Sequence, residues 1–339
     1  MPPVPRGLVY VSDQARGIRR VRLPSTKKGK KTAPPRFHYV GPSGRRIHDA
    51  RTLARIASLA IPPAYEDVWI CTNPRGHLQA TGRDARGRKQ YRYHADWTRA
   101  RGDHKHSRMR SFGKALGRLR AGVRRDLAQS GLPREKVLAL VVKLLDATQV
   151  RVGNAEYARS NGSFGLTTLR DRHVRFPARG KALLHFRGKG GAEHDVLVED
   201  ARLAKLVRRC QELPGQALFQ YVDDEGARRA IDSGQVNDYL RERMGEEFTA
   251  KDFRTWHATL HALKLIGKVP VPEKPSERAL RACINEVVKE VAAGLRNTPA
   301  VCRKSYINPA VFIAWQNGEL HRRAAREPPA KALLKLLGR

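Results

Sequence analysis

The sequence predicts an α+β fold in two parts: a β-rich front domain over residues 1–95, a linker over 96–110, and a mostly α-helical rear domain with a small antiparallel sheet over 111–339. Three observations lead there. Short apolar or alternating runs bounded by Gly, Pro, Asn and Ser fill the first hundred residues, where a single helical pattern interrupts them. Residues 93–111 turn charged, His-rich and poor in apolar side chains. Beyond them apolar residues recur at helical spacing. A chain of 339 residues, 40% of them hydrophobic, is long enough for two such domains and a sizeable core.

In the front domain, residues 8–11, 18–23, 37–40, 68–71 and 78–81 read as strands, and 50–59 as the helix among them. Lys27-Lys28-Gly29-Lys30-Lys31, set between Ser and Pro, reads as a basic loop. In the rear domain a helix over 134–150 follows Gly131-Leu132-Pro133 and places Val137, Leu138, Val141, Leu144, Leu145 and Thr148 on one stripe. Strands follow at 166–169, 174–176, 182–186 and 195–198, with Gly188-Lys189-Gly190-Gly191 as the hairpin turn between the last two. Helices are expected at 201–210, 233–244, 253–266 and 277–295. Ser276 is a natural N-cap for the last of them. Thr298-Pro299 repeats that start signal just before Tyr306, with Pro at the first helical position. The end of the chain, 319–339, carries Leu333, Leu334, Leu336 and Leu337, a pattern open to a docked short helix or a frayed end.

Charge narrows the partner. The chain holds 67 Lys and Arg against 32 Asp and Glu, a net +35. Solubility asks for roughly 2 to 8 net charges, so the excess points to a polyanion. It is uneven: residues 1–110 hold 25 Lys and Arg against 7 Asp and Glu, and the other 229 residues hold 42 against 25. The best apolar run, 137–145, is broken by Lys143 and falls short of the ~18 residues of a membrane helix. The Pro-rich start has no apolar signal core, so a cytoplasmic, nucleoid-associated protein is expected. Cys71, Cys210, Cys283 and Cys302 have no paired spacing, and they read as idle thiols in a reducing compartment.

Absent motifs narrow the chemistry. There is no P-loop, and no acidic cluster of the kind that holds two metal ions; Asp223-Asp224-Glu225 beside Gly226 reads as an acidic turn. A protein of this kind acting on phosphodiesters would stabilise phosphoryl charge with Arg and Lys alone. Four positions stand out on that view. Arg151 closes a long apolar helix, Lys189 sits on a glycine-flanked hairpin tip, Arg254 opens an apolar helix, and Tyr306 follows Arg303-Lys304-Ser305. Taken singly, each has a plain structural reading, a helix-end charge or a core aromatic.

All four occur together, in one order, in a sequence that resembles a type IB DNA topoisomerase of the small bacterial and poxvirus-like kind. The resemblance runs from about residue 62 to Tyr306. Gly82-Arg83-Asp84-Ala85-Arg86-Gly87-Arg88-Lys89-Gln90-Tyr91-Arg92-Tyr93 is similar to the family's DNA-contacting signature. Arg151 with Gly153 and Tyr157, then Gly165-Leu166-Thr167-Thr168-Leu169, resemble the segment of the first catalytic arginine. Lys189 matches the hairpin lysine, Arg254 the second arginine, and Tyr306 the nucleophile. The sequence departs from the family at one place: Asn297 stands where poxvirus and eukaryotic members carry histidine, nine residues before the tyrosine. Its amide can still donate to a phosphate oxygen, and it is read as the mark of a bacterial subgroup. His257 is a weaker candidate to assist it.

The resemblance implies a C-shaped clamp on double-stranded DNA, a monomer with no obligatory protein partner, and no cofactor, metal or membrane. It implies catalytic roles for Tyr306, Arg151, Lys189, Arg254 and Asn297, and DNA contacts for Arg88, Lys89, Gln90, Tyr91, Tyr93 and Lys251. Two alternatives stay open. One is a tyrosine recombinase, although its signature histidine three residues before the second arginine is here Lys251. The other is an architectural protein that coats DNA without chemistry, which the charge alone supports equally.

Overall fold

The computed structural model describes residues 4–24, 35–85, 87–245, 248–273, 276–320 and 327–338. The basic loop at 27–31 lies outside them. The chain divides into two compact units, Met1–Lys105 and His106–Arg339.

The first unit is an antiparallel sheet in the order β2-β1-β3-β4-β5, made of β1 (Ile18–Arg22), β2 (Phe37–Val40), β3 (Glu66–Ile70), β4 (Leu78–Arg83) and β5 (Lys89–Tyr93). Helix α1 (Ala50–Ser58) starts at Asp49, whose carboxylate accepts from Thr52 N at 2.7 Å. It buries Ile56 against Ile18, Val68, Ile70 and Ala80. Residues 8–11 form no strand. Val9 makes one isolated bridge to Gly76, and the ladder stops there because Val11 N is taken by the His77 side chain, at 3.1 Å.

The expected linker, 96–110, is helical: α2 runs unbroken over Ala95–Leu127 and carries the division between the units within it. Its polar front half is rich in Arg, good helix formers that leave little apolar periodicity to read.

The second unit is built around α3 (Arg134–Thr148). Its expected single stripe is too narrow, for Lys136–Val142, Leu144 and Leu145 are all buried, so the helix is enclosed on every side. Around it lie α4 (Ala155–Asn161), α5 (Ala201–Gln211), α6 (Ser233–Met244), α7 (Ala250–Ile266), α8 (Glu277–Leu295), α9 (Pro299–Ser305) and α10 (Ala310–Gln316). One sheet has the order β6-β7-β8: β6 (Val174–Arg175), β7 (Ala182–Arg187) and β8 (Glu193–Val198). A hairpin of β9 (Gln220–Val222) and β10 (Arg228–Ala230) closes on Asp223, whose carboxylate accepts from Ala227 N at 2.7 Å, so the acidic turn is structural. The expected strand 166–169 is a 3₁₀ turn over Leu166–Thr168, which Leu169 leaves in extended conformation. Thr168 N returns to Gly165 O at 2.8 Å, and the Thr168 hydroxyl accepts from Gly165 N at 2.9 Å. The chain's end docks as a helix, Pro329–Leu336, with Leu333 fully buried. Among the described residues no helix is long and apolar enough to cross a membrane.

Candidate active site

The site forms where two helices of the second unit end. Beyond α3, Gln149 turns left-handed at φ 58°, and beyond α8 Arg296 does so at φ 50°. Helix ends leave carbonyls without partners inside the helix. Arg254, in the second turn of α7 and 5% exposed, takes one from each: Nη1 donates to Gln149 O, and Nη2 to Leu295 O at 2.9 Å. A cation there also meets the negative ends of both helix dipoles.

The turn at Gln149 launches Arg151 two residues later, and the 3₁₀ segment holds its backbone. Leu166 N donates to Arg151 O at 2.9 Å, and Thr167 N and Oγ1 both donate to Val152 O, at 2.7 and 2.9 Å. The two backbones lie so close that a Cβ on Gly165 would sit 2.5 Å from Arg151 O, while Gly153 occupies φ +106°. The glycines read as part of a motif are therefore required by this close approach. Arg151 Nη2 donates to Asn297 Oδ1 at 2.9 Å. That fixes the Asn297 amide with its Nδ2 free to donate. Nδ2 of Asn297 and Nε of Arg254 are both buried, and among the described residues neither has a hydrogen-bond partner.

Tyr306 ends α9, which begins at the Thr298 cap with Pro299 in its first turn. Its carbonyl accepts from Thr259 Oγ1 at 3.1 Å, and the same hydroxyl accepts from Asn308 N at 3.0 Å. Thr259 is wholly buried and lies five residues after Arg254, so one helix carries the guanidinium and anchors the tyrosine backbone. The Arg254 guanidinium carbon lies 5.3 Å from the Tyr306 ring centroid. Burial would push the phenol's pKa up. The charge and hydrogen bond of Arg254 oppose it, joined by the charges of Arg151 and Lys251, and the balance falls below the ordinary tyrosine value. Burial, followed by the charge of Arg151, lowers Arg254 from its own ordinary value.

Arg151, Arg254, Asn297 and Tyr306 thus gather in one pocket. Lys251, exposed at the start of α7, adds its charge, a role the sequence reading did not give it. Lys189 stands exposed at the tip of the β7–β8 hairpin, where no hydrogen bond or ion pair holds it among the described residues. His257 does not assist Asn297: its Nε2 lies 2.9 Å from Asp146 Oδ1, in a cluster with Arg120. The sequence reading also missed Gln149 and Leu295, which act through backbone carbonyls and carry no residue signal, and Thr259, one of several threonines in helices.

The remaining candidates belong to the first unit. Tyr91 and Tyr93 project from β5, 47% and 45% exposed, their rings stacked at 6.0 Å and 8°. Lys89 pairs with Asp13. Asp84 accepts from Arg88 Nε at 2.8 Å and from Gln90 Nε2 at 2.9 Å. Among the described residues no group of three or more His, Cys, Asp or Glu is arranged to hold a metal ion.

Comparison with known proteins covers both units. A family model described as "Eukaryotic DNA topoisomerase I, catalytic core" matches residues 94–317, and one described as "Bacterial DNA topoisomerase IB, N-terminal domain" matches 36–84. DNA topoisomerase 1B of Acanthamoeba polyphaga mimivirus is 31% identical over 293 residues, 85% of this chain and 87% of the viral protein. DNA topoisomerase 1B of vaccinia virus (strain Copenhagen) is 23% identical over 261 residues, 73% and 75% of the two chains.

Proposed function

The chain belongs to the type IB DNA topoisomerase family, of the small bacterial and viral kind, and on that premise we propose that it relaxes supercoiled DNA through a transient 3′-phosphotyrosyl bond on Tyr306, without ATP or a metal ion. The observation that carries this reading is the pair of buried donors in the pocket of Tyr306, Arg254 Nε and Asn297 Nδ2, that find no partner among the described residues. A buried donor left unmade costs about 1–3 kcal/mol. A phosphodiester oxygen seated between them would satisfy both.

The reaction follows from those groups. Tyrosine titrates near 10, so only about one phenol in a thousand is ionised at pH 7 in water. Arg254, Arg151 and Lys251 raise that fraction here. The phenolate, its proton lost to water, attacks phosphorus in line. The Oη–P bond forms as the P–O5′ bond breaks, while Arg151, Arg254 and the Asn297 amide stabilise the equatorial oxygens. Lys189 gives its ammonium proton to the departing 5′-oxygen, a role open to lysine and closed to arginine. The broken strand turns about the intact one under torsional stress, and the 5′-hydroxyl attacks back along the same path. One phosphodiester replaces another, so no energy source is consumed. Arg88, Lys89, Gln90, Tyr91 and Tyr93 of the first unit, with Lys251, contact the duplex, and the protein acts as a monomer.

The test is relaxation of supercoiled plasmid in EDTA without ATP, with Tyr306→Phe as control. Relaxed plasmid from the parent protein and unchanged plasmid from the variant are expected. A linking number that stays constant once the protein is stripped off would instead indicate an architectural protein.

A further inference from the structure

His194 is buried beside this site and has no part in the chemistry above. It faces Phe186 across the β7–β8 ladder, the rings parallel to within 5° and 4.8 Å apart. The backbone of Gly188 lies on the imidazole: a Cβ there would fall 2.6 Å from both Cδ2 and Nε2 of the ring. Gly188 opens the turn that carries Lys189, and its N–H donates to Ala192 O at 2.7 Å. The imidazole is therefore the floor of that turn. It is 5% exposed, and no hydrogen bond holds it among the described residues. Burial, then the charges of Arg296, Arg151 and Arg254, push its pKa down to about 4 against the pull of Asp195, so the ring is neutral under ordinary conditions. One flat, uncharged ring thus touches the Lys189 turn and lies within the field of the guanidiniums of Arg151 and Arg254. A second cation there would be repelled, and a smaller side chain would leave the glycine turn unsupported.

We propose that His194 is a positioning residue, whose ring, wedged between Phe186 and the Gly188 backbone, fixes the Lys189 turn against the arginine pocket so that the ammonium reaches the departing 5′-oxygen. This rests on the general-acid role given to Lys189 above.

Single-turnover strand cleavage separates the two ideas, using duplexes whose leaving group is either the normal 5′-oxygen or a 5′-bridging sulfur, which departs without a proton. His194→Ala is expected to slow the oxygen substrate ~10- to 100-fold, a part of the 10²–10⁴ that general acid catalysis supplies. The sulfur substrate should stay within about threefold of the parent rate, and adding His194→Ala to Lys189→Ala should cost nothing more. Gly188→Ala, which pushes the turn off the ring without altering it, should give the same signature and serves if His194→Ala is too unstable to assay. Equal slowing on both substrates, or no slowing, by either variant overturns the proposal while the role of Lys189 stands. If sulfur fails to rescue Lys189→Ala itself, the general-acid reading falls, and the proposal with it.

Discussion

Strand β5 and the Tyr306 pocket use the same side-chain types in opposite ways. On β5 and the residue before it the cations are matched by carboxylates, Lys89 by Asp13 and Arg88 by Asp84, and the tyrosines lie half exposed on one another. Such surface pairs are worth about 0–1 kcal/mol and exchange readily for a phosphate. In the pocket Arg254 is 5% exposed and bonded to the neutral carbonyls of Gln149 and Leu295. Those carbonyls orient it without cancelling its charge. The surface is thus built for graded, replaceable contact, and the pocket for a fixed field held ready before substrate arrives.

The largest effect that should follow is the loss of Tyr306. Tyr306→Phe keeps the ring against Arg254 and removes only the hydroxyl, so duplex affinity should hold while covalent adduct falls by more than ~10⁴-fold, as for other enzymes stripped of their nucleophile. Denaturing gels of protein–DNA mixtures read the adduct, and an adduct from the variant would remove Tyr306 as nucleophile.

Arg254→Lys comes next. Lysine brings a charge, but its three donors leave a single nitrogen and do not reproduce the planar fork that spans the two carbonyls while facing a phosphate. Cleavage should fall ~10²–10³-fold, the usual cost of losing an oriented donor to a developing anion. The same variant tests the phenol's acidity. In the parent protein burial pushes the Tyr306 phenol up, but the charge and hydrogen bond of Arg254, with the charges of Arg151 and Lys251, together hold it below its ordinary value, so cleavage should rise with pH and level off before the ordinary phenol range. Losing the guanidinium's hydrogen bond to the phenol, and its placement of the charge, should move the rise to higher pH. An unmoved pH profile would show that Arg254 acts on phosphate alone.

How much of this was legible in the sequence also divides by region. The ordered Arg151, Arg254, Asn297 and Tyr306 set could be read because each contributes a distinctive side chain, and the structure brings these four together. What holds them could not. Gln149 and Leu295 act through backbone oxygens, and the left-handed turns at Gln149 and Arg296 fall on residues that give no turn signal. In the fold, strands such as Phe37–Val40 and helices such as Glu277–Leu295 followed from periodicity and caps. The misread segments are those where side-chain bonds overrode pattern: the His77 ring takes Val11 N where the sequence predicts a strand, and Thr168 closes a turn at Gly165. In α2, charge hid the helical period.

A smaller effect is expected on β5. Lys89→Ala frees Asp13 as well as removing a cation, so it should weaken duplex binding and lower the slope of log affinity against log salt by about 1, the share of one phosphate contact. The cleavage rate of already bound duplex should not change. A slower bound-state rate would mean that β5 shapes the pocket, and the division drawn above would fail.

The smallest effect concerns Asn297, the position read in the sequence as a departure from the family pattern. Judged by charge alone, Asn297→His would raise activity by introducing a cationic donor. The pocket argues otherwise, because Asn297 Oδ1 is the acceptor for Arg151 Nη2 at 2.9 Å. A neutral imidazole can accept from Arg151 through one nitrogen and donate to phosphate through the other, but an imidazolium can accept nothing and would repel the guanidinium. Free histidine titrates near 6.5, and the surrounding cations would hold the new ring below that. Cleavage by Asn297→His should therefore match the parent within about twofold at pH 8. It should fall roughly fivefold behind as the pH drops below 6, the equivalent of about 1 kcal/mol for one lost hydrogen bond. A variant faster than the parent at low pH would show that the amide acts on phosphate independently of Arg151, and that the bond between them is incidental to the chemistry.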